Sequence, residues 1–576
     1  MLLIILFWAW AVVVGVGLGL GLMRALEAVW GRLPSLLTSS PELLIIGGLS
    51  VLAWLGAVLS FLLPIALPLQ LVLSGIAGAL LLSNRNRLRQ LLRDYRHSWR
   101  LAGGGAAGLA AACAVLVLVH AAQPPVFPDS ALYHAQFIQW MHRYPVVPGL
   151  GNLRGQLAFN SHAHLLAAFF SPAGPLGRGP AFQQTVSSLG FLLVAVQHVR
   201  RAGEQLRVGG RPWLAIFYLG SLVLLLMVLR PWISSPLADS TAAVLGLLLL
   251  GILLEMPRLS SAGLVWVGLL AATTVTVKPS AGALLLLPLV AACWPAQRRG
   301  SRLRRLAGAT LVVLLPWLGR NVVLSGYLVY PLAGRVGPVV REWAVPPAQL
   351  AADLTEIHLF ARRPLGDWPL AAEQSVQEWL PPWWAQQEVA DKILLGLLLA
   401  GVGVVLGWLC WQLLIRKTPP GALGRRPVVQ LYGLLLLSLL GWFNAAPALR
   451  FAYAYLIGAT TLVPLIVFGA SATRWGRVAG WTLGILSFAY VLNGLRHELA
   501  KPAALTTHVL WPADYPQVRT RVVRYLGPYP LRTNGRCGNS PLPCTDTPLS
   551  ALQLRGATLG QGFRMADKPT DLESSR

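Results

Sequence analysis

The chain has 576 residues, 55% of them hydrophobic and only 12% charged, with a mean hydropathy of +0.60. Soluble domains carry roughly 25% charged residues, so a water-soluble fold is excluded. The net charge of +26, from 47 Lys and Arg against 21 Asp and Glu, does not indicate nucleic acid, because the basic residues sit in short loops between apolar runs and no binding motif accompanies them.

Several apolar runs approach or exceed the roughly 18 to 20 residues that cross a hydrocarbon core of about 30 Å, which predicts an all-α polytopic membrane protein with about 14 transmembrane helices. The first run, Met1 to Met23, lacks a basic n-region and is long for a signal-peptide core, so it reads as a retained span. Spans near 44–63 and 66–82 form a hairpin leading into SNRNRLRQLLRDYRHSWR. Arg85, Arg87, Arg89, Arg93, Arg96 and Arg100 mark that segment as a cytoplasmic loop, which orients everything else.

From that anchor, a span over 101–119 exits to an outer loop, 120–180, and 181–199 returns to Arg200, Arg201, Arg207 and Arg211. A helix ending near Arg230 exits, 240–254 re-enters near Arg258, 263–277 exits, and 281–294 returns to Arg298, Arg299, Arg302, Arg304 and Arg305. Span 307–318 leads to a second outer loop, 319–391, and 393–415 comes back to Arg416, Lys417, Arg425 and Arg426. Spans near 428–443, 451–470 and 478–495 keep Arg474 and Arg477 inside and put both termini outside. The expected organisation is N-terminal transmembrane helices (1–100), a main transmembrane domain (101–495) and a short non-cytoplasmic tail (496–576). The apolar stretch at Ala163 to Phe170 is either part of the loop or re-entrant.

Cys113, Cys293 and Cys410 lie in apolar runs and read as small core residues, whereas Cys537 and Cys544 lie in the polar tail, where an oxidising compartment would let them pair.

The unusual polar residues near span ends fall on the outer side. PDSALYHAQFIQWMHRYP places Asp129 just after a span, with Tyr133, His134, Gln136 and Phe137 at a spacing suited to an amphipathic surface helix. Asp129 is either the N-cap of that helix or a chemical group. GLGNLRGQLAFNSHAH adds Asn152, Arg154, Asn160, Ser161 and His162, polar groups that are costly beside lipid unless satisfied. RPWISSPLADS sets Asp239 at the start of a membrane helix, again a cap or a second carboxylate facing the cavity of Asp129. Lys278, one of five lysines, and Arg320 and Arg450 lie at outer span ends against the positive-inside trend. They serve either to snorkel to headgroups or to hold phosphate. Trp379, Trp383 and Trp384 in EWLPPWWAQQ either anchor the outer loop at the interface or stack on a sugar or prenyl chain.

PDSALYHAQ looks like the first-loop aspartate motif of the GT-C glycosyltransferases, and SSPLADS looks like their second acidic motif. RNVVLSGYLVYP, and NLRGQLAFNS together with APALRFAY, resemble an uncharacterised bacterial GT-C-like branch, over roughly residues 100–500. The resemblance implies a multi-pass enzyme of the bacterial inner membrane that moves sugar from a polyprenyl-phosphate-linked donor to an acceptor hydroxyl on the non-cytoplasmic face. It implies catalytic roles for Asp129 and Asp239, and donor binding by Lys278, Arg320 and Arg450 with Tyr133, His134, Asn160, Asn321 and Tyr327. No cofactor is required by it; two carboxylates could hold Mg²⁺ or Mn²⁺, and the acceptor, whether glycan, lipid or protein, stays open. The competing classes are a transporter or flippase for a lipid-linked glycan, a polysaccharide polymerase or ligase, and a purely structural membrane protein. A transporter would place its site near the midplane and often carries inverted repeats, and none is visible.

Overall fold

The computed structural model describes residues 1–171, 182–208, 210–256, 258–293, 299–332, 336–363, 374–418, 427–469, 473–500, 508–516, 518–546 and 548–566. Arg298, Arg425 and Arg426, and the stretches 172–180 and 364–373 of the two expected outer loops, lie outside the described residues.

The chain is all-helical up to its tail. In order the helices are α1 (Leu2–Trp30), α2 (Ser35–Ser39), α3 (Pro41–Leu59), α4 (Leu67–Ser83), α5 (Arg85–Ala102), α6 (Gly104–Ala121), α7 (Ala135–Arg143), α8 (His162–Phe169), α9 (Thr185–Arg207) and α10 (Pro212–Leu229). They continue with α11 (Ala238–Glu255), α12 (Ser261–Val277), α13 (Leu286–Cys293), α14 (Arg299–Ser325), α15 (Pro347–Arg362), α16 (Val376–Gln386), α17 (Val389–Cys410), α18 (Pro427–Ala445), α19 (Tyr453–Phe468) and α20 (Arg474–Leu499). Among the described residues 9 are long and apolar enough to cross a membrane, or 10 if α4 and α5, bent by 78°, count as one span. These helices mark a membrane protein. The other segments expected to span are helical as well, but α4, α12, α13 and α19 are shorter, and α9 carries Arg200, Arg201, Glu204 and Arg207.

Close backbone approach sets the packing of the first helices. α1 carries glycines at alternate positions in GVGLGLG, and a Cβ on Gly17 would run into the Ala77 carbonyl of α4, while one on Gly48 of α3 would run into the Gly15 carbonyl of α1. Small residues at such crossings are what lets membrane helices gain dispersion contacts without a hydrophobic driving force. At the arginine-rich end of the bundle a buried ion network does the joining. Arg200 of α9 bonds Glu42 of α3 at 3.0 Å and Glu204 at 3.2 Å, Arg201 pairs with Glu204 and with Glu255 of α11, and Tyr95 of α5 donates to Glu42 at 2.9 Å.

Three expectations change. The arginine-rich segment is not a loop but the helix α5, strongly amphipathic and laid across the end of α4. The helix after Asp129 does not lie free on a membrane surface, since Ala135 to Met141 of α7 are all buried. Of the cysteines expected in the core only Cys113 is buried, Cys410 being exposed.

α7 packs on α8, and the tail covers it further. The tail forms two antiparallel hairpins, β1 (Arg521–Leu526) with β2 (Tyr529–Thr533) and β3 (Leu552–Leu554) with β4 (Phe563–Met565). Cys537 and Cys544 are disulfide-bonded, and Gln136 of α7 donates to the carbonyls of Gly538 and Ser540 inside that closed loop, at 3.0 and 2.8 Å. The N-terminus meets the same tail, the Met1 ammonium donating to His508 O at 2.6 Å and Leu2 N to Val509 O at 2.9 Å. The N-terminus therefore meets the start of the described tail at one end of the bundle.

Gly17→Leu is expected to lower stability by about 1–3 kcal/mol through overpacking, read as a drop in the thermal unfolding midpoint in detergent. An unchanged midpoint would show that α1 and α4 are not held at this spacing.

Candidate functional site

The candidate site is built where four separated segments end. α11 starts after the turn of WISSPLADS, and Asp239 occupies its first turn without capping it. The same turn seats the segment that carries Asp129: Phe127 N donates to Ser235 Oγ at 3.1 Å and Ser234 Oγ to Pro124 O at 2.9 Å. Asp129 itself makes no capping hydrogen bond to the π-helical turn Ser130–His134 that follows, so the cap alternative falls away. α12 ends at Lys278, held extended ahead of Pro279, and Arg450 sits in the single turn Leu449–Phe451 between α18 and α19.

These four side chains form a tetrad. Lys278 Nζ lies 2.6 Å from Asp239 Oδ1, Arg450 Nη2 lies 3.4 Å from Asp129 Oδ2, and Arg450 Nε lies 4.0 Å from Asp239 Oδ2. The first is a tight charge-assisted contact and the other two are loose. Arg450 Nε has no hydrogen-bond partner although it is buried. The cations also lean on aromatic rings, Lys278 over Phe451 at 4.2 Å and Arg450 over Phe127 at 4.9 Å. Burial pulls the Lys278 ammonium below its ordinary pKa despite Asp239 beside it.

An apolar cavity of about 290 Å³ adjoins the tetrad, formed by Ala283 and Leu286 on one side and by Leu437, Gly441, Trp442 and Ala445 of α18 on the other. Ser280, Phe451 and Tyr455 line both this cavity and the small polar one holding Asp239, Lys278 and Arg450. The wall between them is tied by Tyr455, whose hydroxyl donates to Ser280 O at 3.0 Å. A charged nest and a greasy groove therefore share three residues.

The other expected site residues divide. Tyr133 and His134 lie beside the tetrad, and the two carboxylates, after burial, push the Tyr133 hydroxyl above its ordinary range. Arg320, Asn160 and Asn321 belong to a separate buried staple. Arg320 donates to Asn160 Oδ1 at 2.9 Å and to Ser60 Oγ, while Asn160 donates to Trp317 O at 2.9 Å and to Asn321 Oδ1 at 2.8 Å. Arg320 makes no ion pair among the described residues, and the crevice beside it holds about 10 Å³, room for about one water. Tyr327 donates to Val345 O at 3.0 Å, away from the tetrad's residues.

Trp379 and Trp383 are buried and only Trp384 is exposed, and Trp383 Nε1 donates to Pro447 O at 3.0 Å, bracing the loop that presents Arg450. Sequence reasoning passed over Asp391 at the start of α17, which accepts from Tyr453 at 2.9 Å beside the tetrad. Its signal was the one that marked Asp239, a carboxylate opening an apolar helix. Phe127 and Phe451 carried no signal, since aromatics at span ends are common. Among the described residues no three His, Cys, Asp or Glu side chains converge as a metal site would need.

His134 and His164, their rings 4.5 Å apart, lie within reach of the Lys278 charge, while buried His162 lies toward Arg320. Burial holds all three below the usual histidine range, His162 to about 3 and His164 to about 4, the Lys278 and Arg450 charges adding to the effect on His134. They are neutral when folded, while the unfolded chain protonates near pH ~6.5. The unfolded state then binds more protons below that pH, so stability falls as pH drops from about 6.5 toward 4, by up to roughly 1.4 kcal/mol per unit per histidine. Tryptophan-fluorescence melts between about pH 8 and pH 5 should show the midpoint falling on the acid side; a flat profile would contradict neutral burial.

The family described as "Domain of unknown function (DUF8201)" matches residues 1–457, and the chain belongs to it. The matched region contains the whole tetrad and ends before α20 and the tail. No curated protein and no solved structure matches the chain.

Proposed function

We propose that this member of the DUF8201 family is a membrane glycosyltransferase that moves a sugar from a polyprenyl-phosphate-linked donor to an acceptor hydroxyl on the non-cytoplasmic face of a bacterial inner membrane. The carrying observation is the tetrad of Asp129, Asp239, Lys278 and Arg450 sharing a wall with the apolar cavity of about 290 Å³. An amphiphile whose apolar chain fills the cavity brings its anionic head to the wall beside Arg450 and Lys278. The GT-C resemblance of PDSALYHAQ and SSPLADS points the same way.

In this reading about 14 helical segments cross the bilayer, the fourteen being those that the charge pattern threads, with the arginine-rich ends cytoplasmic. A disulfide in the tail supports the opposite side being oxidising.

The chemistry follows from how tightly each group is held. Asp239 is committed to Lys278, so its task is to keep that ammonium in place. Asp129 is only loosely paired and is the base: it takes the proton of the acceptor hydroxyl while that oxygen attacks the anomeric carbon. The bond from the anomeric carbon to the phosphate oxygen breaks, its electron pair staying on the phosphate. Arg450, with donors to spare, and Lys278 stabilise the charge that develops there. Arg320, Asn160, Asn321 and Tyr327 hold the scaffold and do not touch the donor. The scheme requires no cofactor; a divalent cation between the carboxylates would have to displace Arg450.

Purified protein in proteoliposomes with polyprenyl-phosphate sugars and membrane extract as acceptor tests this by following radiolabelled sugar. Asp129→Asn should leave the unfolding free energy within about 1 kcal/mol of wild type and lower transfer by at least about 100-fold, the scale of general-base catalysis. Transfer at the wild-type rate in this variant would remove Asp129 from the role, and lipid-linked sugar appearing across the membrane without transfer would favour a flippase.

A further inference from the structure

The helix α5 has no part in the site, yet it carries a dense row of arginines. Arg85, Arg89, Arg93, Arg96 and Arg100 follow one another at intervals of three or four residues. At 3.6 residues per turn that spacing gathers all five side chains into an arc of about 80° along a helix segment about 22 Å long. All five are exposed, and none makes an ion pair among the described residues; Arg87, on another face, is the arginine of α5 that pairs, with Glu27 at 2.6 Å.

The opposite face is locked. Leu91 is buried, Tyr95 donates to Glu42, Ser98 bonds Glu204, and the Arg200 guanidinium lies 5.2 Å over the Tyr95 ring. α5 is bent 78° from α4, a helix of apolar residues, so its axis runs across the end of the bundle. A bilayer around α4 then has its headgroup layer at the level of α5. Five unpaired guanidiniums are held there in a row, with little side-chain-bearing backbone left to order on binding.

We propose that α5 is a rail for anionic phospholipid headgroups of the surrounding leaflet. Guanidinium gives bidentate contacts to phosphate oxygens, and juxtamembrane basic residues are attracted to anionic leaflets. The fixed underside separates this surface from a solvated charge run, because the row cannot collapse onto protein carboxylates. The assignment is independent of any transferase activity.

The test is thermal unfolding of the full chain in phosphatidylcholine vesicles and in vesicles of roughly equal parts phosphatidylcholine and phosphatidylglycerol. Wild type should unfold several degrees higher with phosphatidylglycerol, and added salt should erode the gain. A variant with all five residues changed Arg→Gln should match wild type in phosphatidylcholine and lose the gain, while the five-fold Arg→Lys variant should retain most of it. The proposal is overturned if wild type shows no gain, or if the Gln variant keeps it in full. Should the Gln variant fail to fold, the Lys variant and the salt titration decide: a gain that salt leaves unchanged overturns it. Stabilisation of the detergent-solubilised protein by short polyphosphate as strong as that by phosphatidylglycerol overturns the lipid assignment in favour of a soluble anion.

Discussion

A carboxylate and an ammonium sit at the helix ends where neither tolerates being alone. Asp239 is 4% exposed, and leaving such a charge unpaired costs about 3–5 kcal/mol when its partner is removed. The contact with Lys278 at 2.6 Å therefore fixes the start of α11 against the end of α12. Everything else at this end is arranged around that bond. The turn before Asp239 seats Phe127, and with it Asp129, through Ser234 and Ser235. Arg450 comes from a different pair of helices and finds one carboxylate already committed, so it is left in loose contact with two acids, 3.4 Å from Asp129 and 4.0 Å from Asp239.

The two ends of the bundle treat charge in opposite ways. At the arginine-rich end Glu42, Arg200, Arg201, Glu204 and Glu255 close on one another, with Tyr95 and Tyr218 completing the network. That arrangement is saturated and joins α3, α5, α9, α10 and α11. At the other end the tetrad sums to zero charge but is poorly bonded. Incomplete satisfaction of buried polar groups has a cost, and proteins keep it where function requires it. The same contrast separates Arg320 from Arg450. Both are arginines at span ends, but Arg320 is buried and spends its donors on Asn160 and Ser60, in space for about one water, whereas Arg450 is half-buried.

Much of this was legible in the chain because lipid forces helices and charge reports their ends. Asp129, Asp239, Lys278 and Arg450 stood out for being ionisable beside apolar runs, and they are the four that meet. Arg320 stood out by the same rule and does not join them, since the rule finds buried charge and is blind to which partner satisfies it. Asn160 was the missing information, a residue 160 positions away whose amide is aimed at the guanidinium. Periodicity placed an amphipathic helix after Asp129 but assigned its apolar face to lipid. The disulfide-closed loop of the tail meets it instead, through backbone carbonyls of Gly538 and Ser540 that no side-chain pattern announces. Likewise the arginines of α5 read as a loop because charge density masked a helical repeat whose apolar face is only Leu88, Leu91, Tyr95 and Trp99 wide.

Zero net charge also constrains what the tetrad can bind. A free anion arriving there gains Arg450 and part of Lys278 but meets Asp129 and Asp239 at close range, so electrostatics alone gives it little. Affinity must come from another source, and the adjoining cavity supplies one, since burying apolar surface is worth roughly 25 cal/mol per Å². A ligand whose chain lies along Leu437, Gly441 and Trp442 has its polar head delivered to Phe451 and Tyr455, the residues that form the wall. In the proposed transferase the apolar chain would provide binding that is the same in the ground and transition states, leaving the tetrad to respond to charge that appears only as a bond breaks. A neutral tetrad is poorly suited to capture and well suited to that second task, because displacement of Arg450 from its loose contacts toward a developing anion sacrifices little.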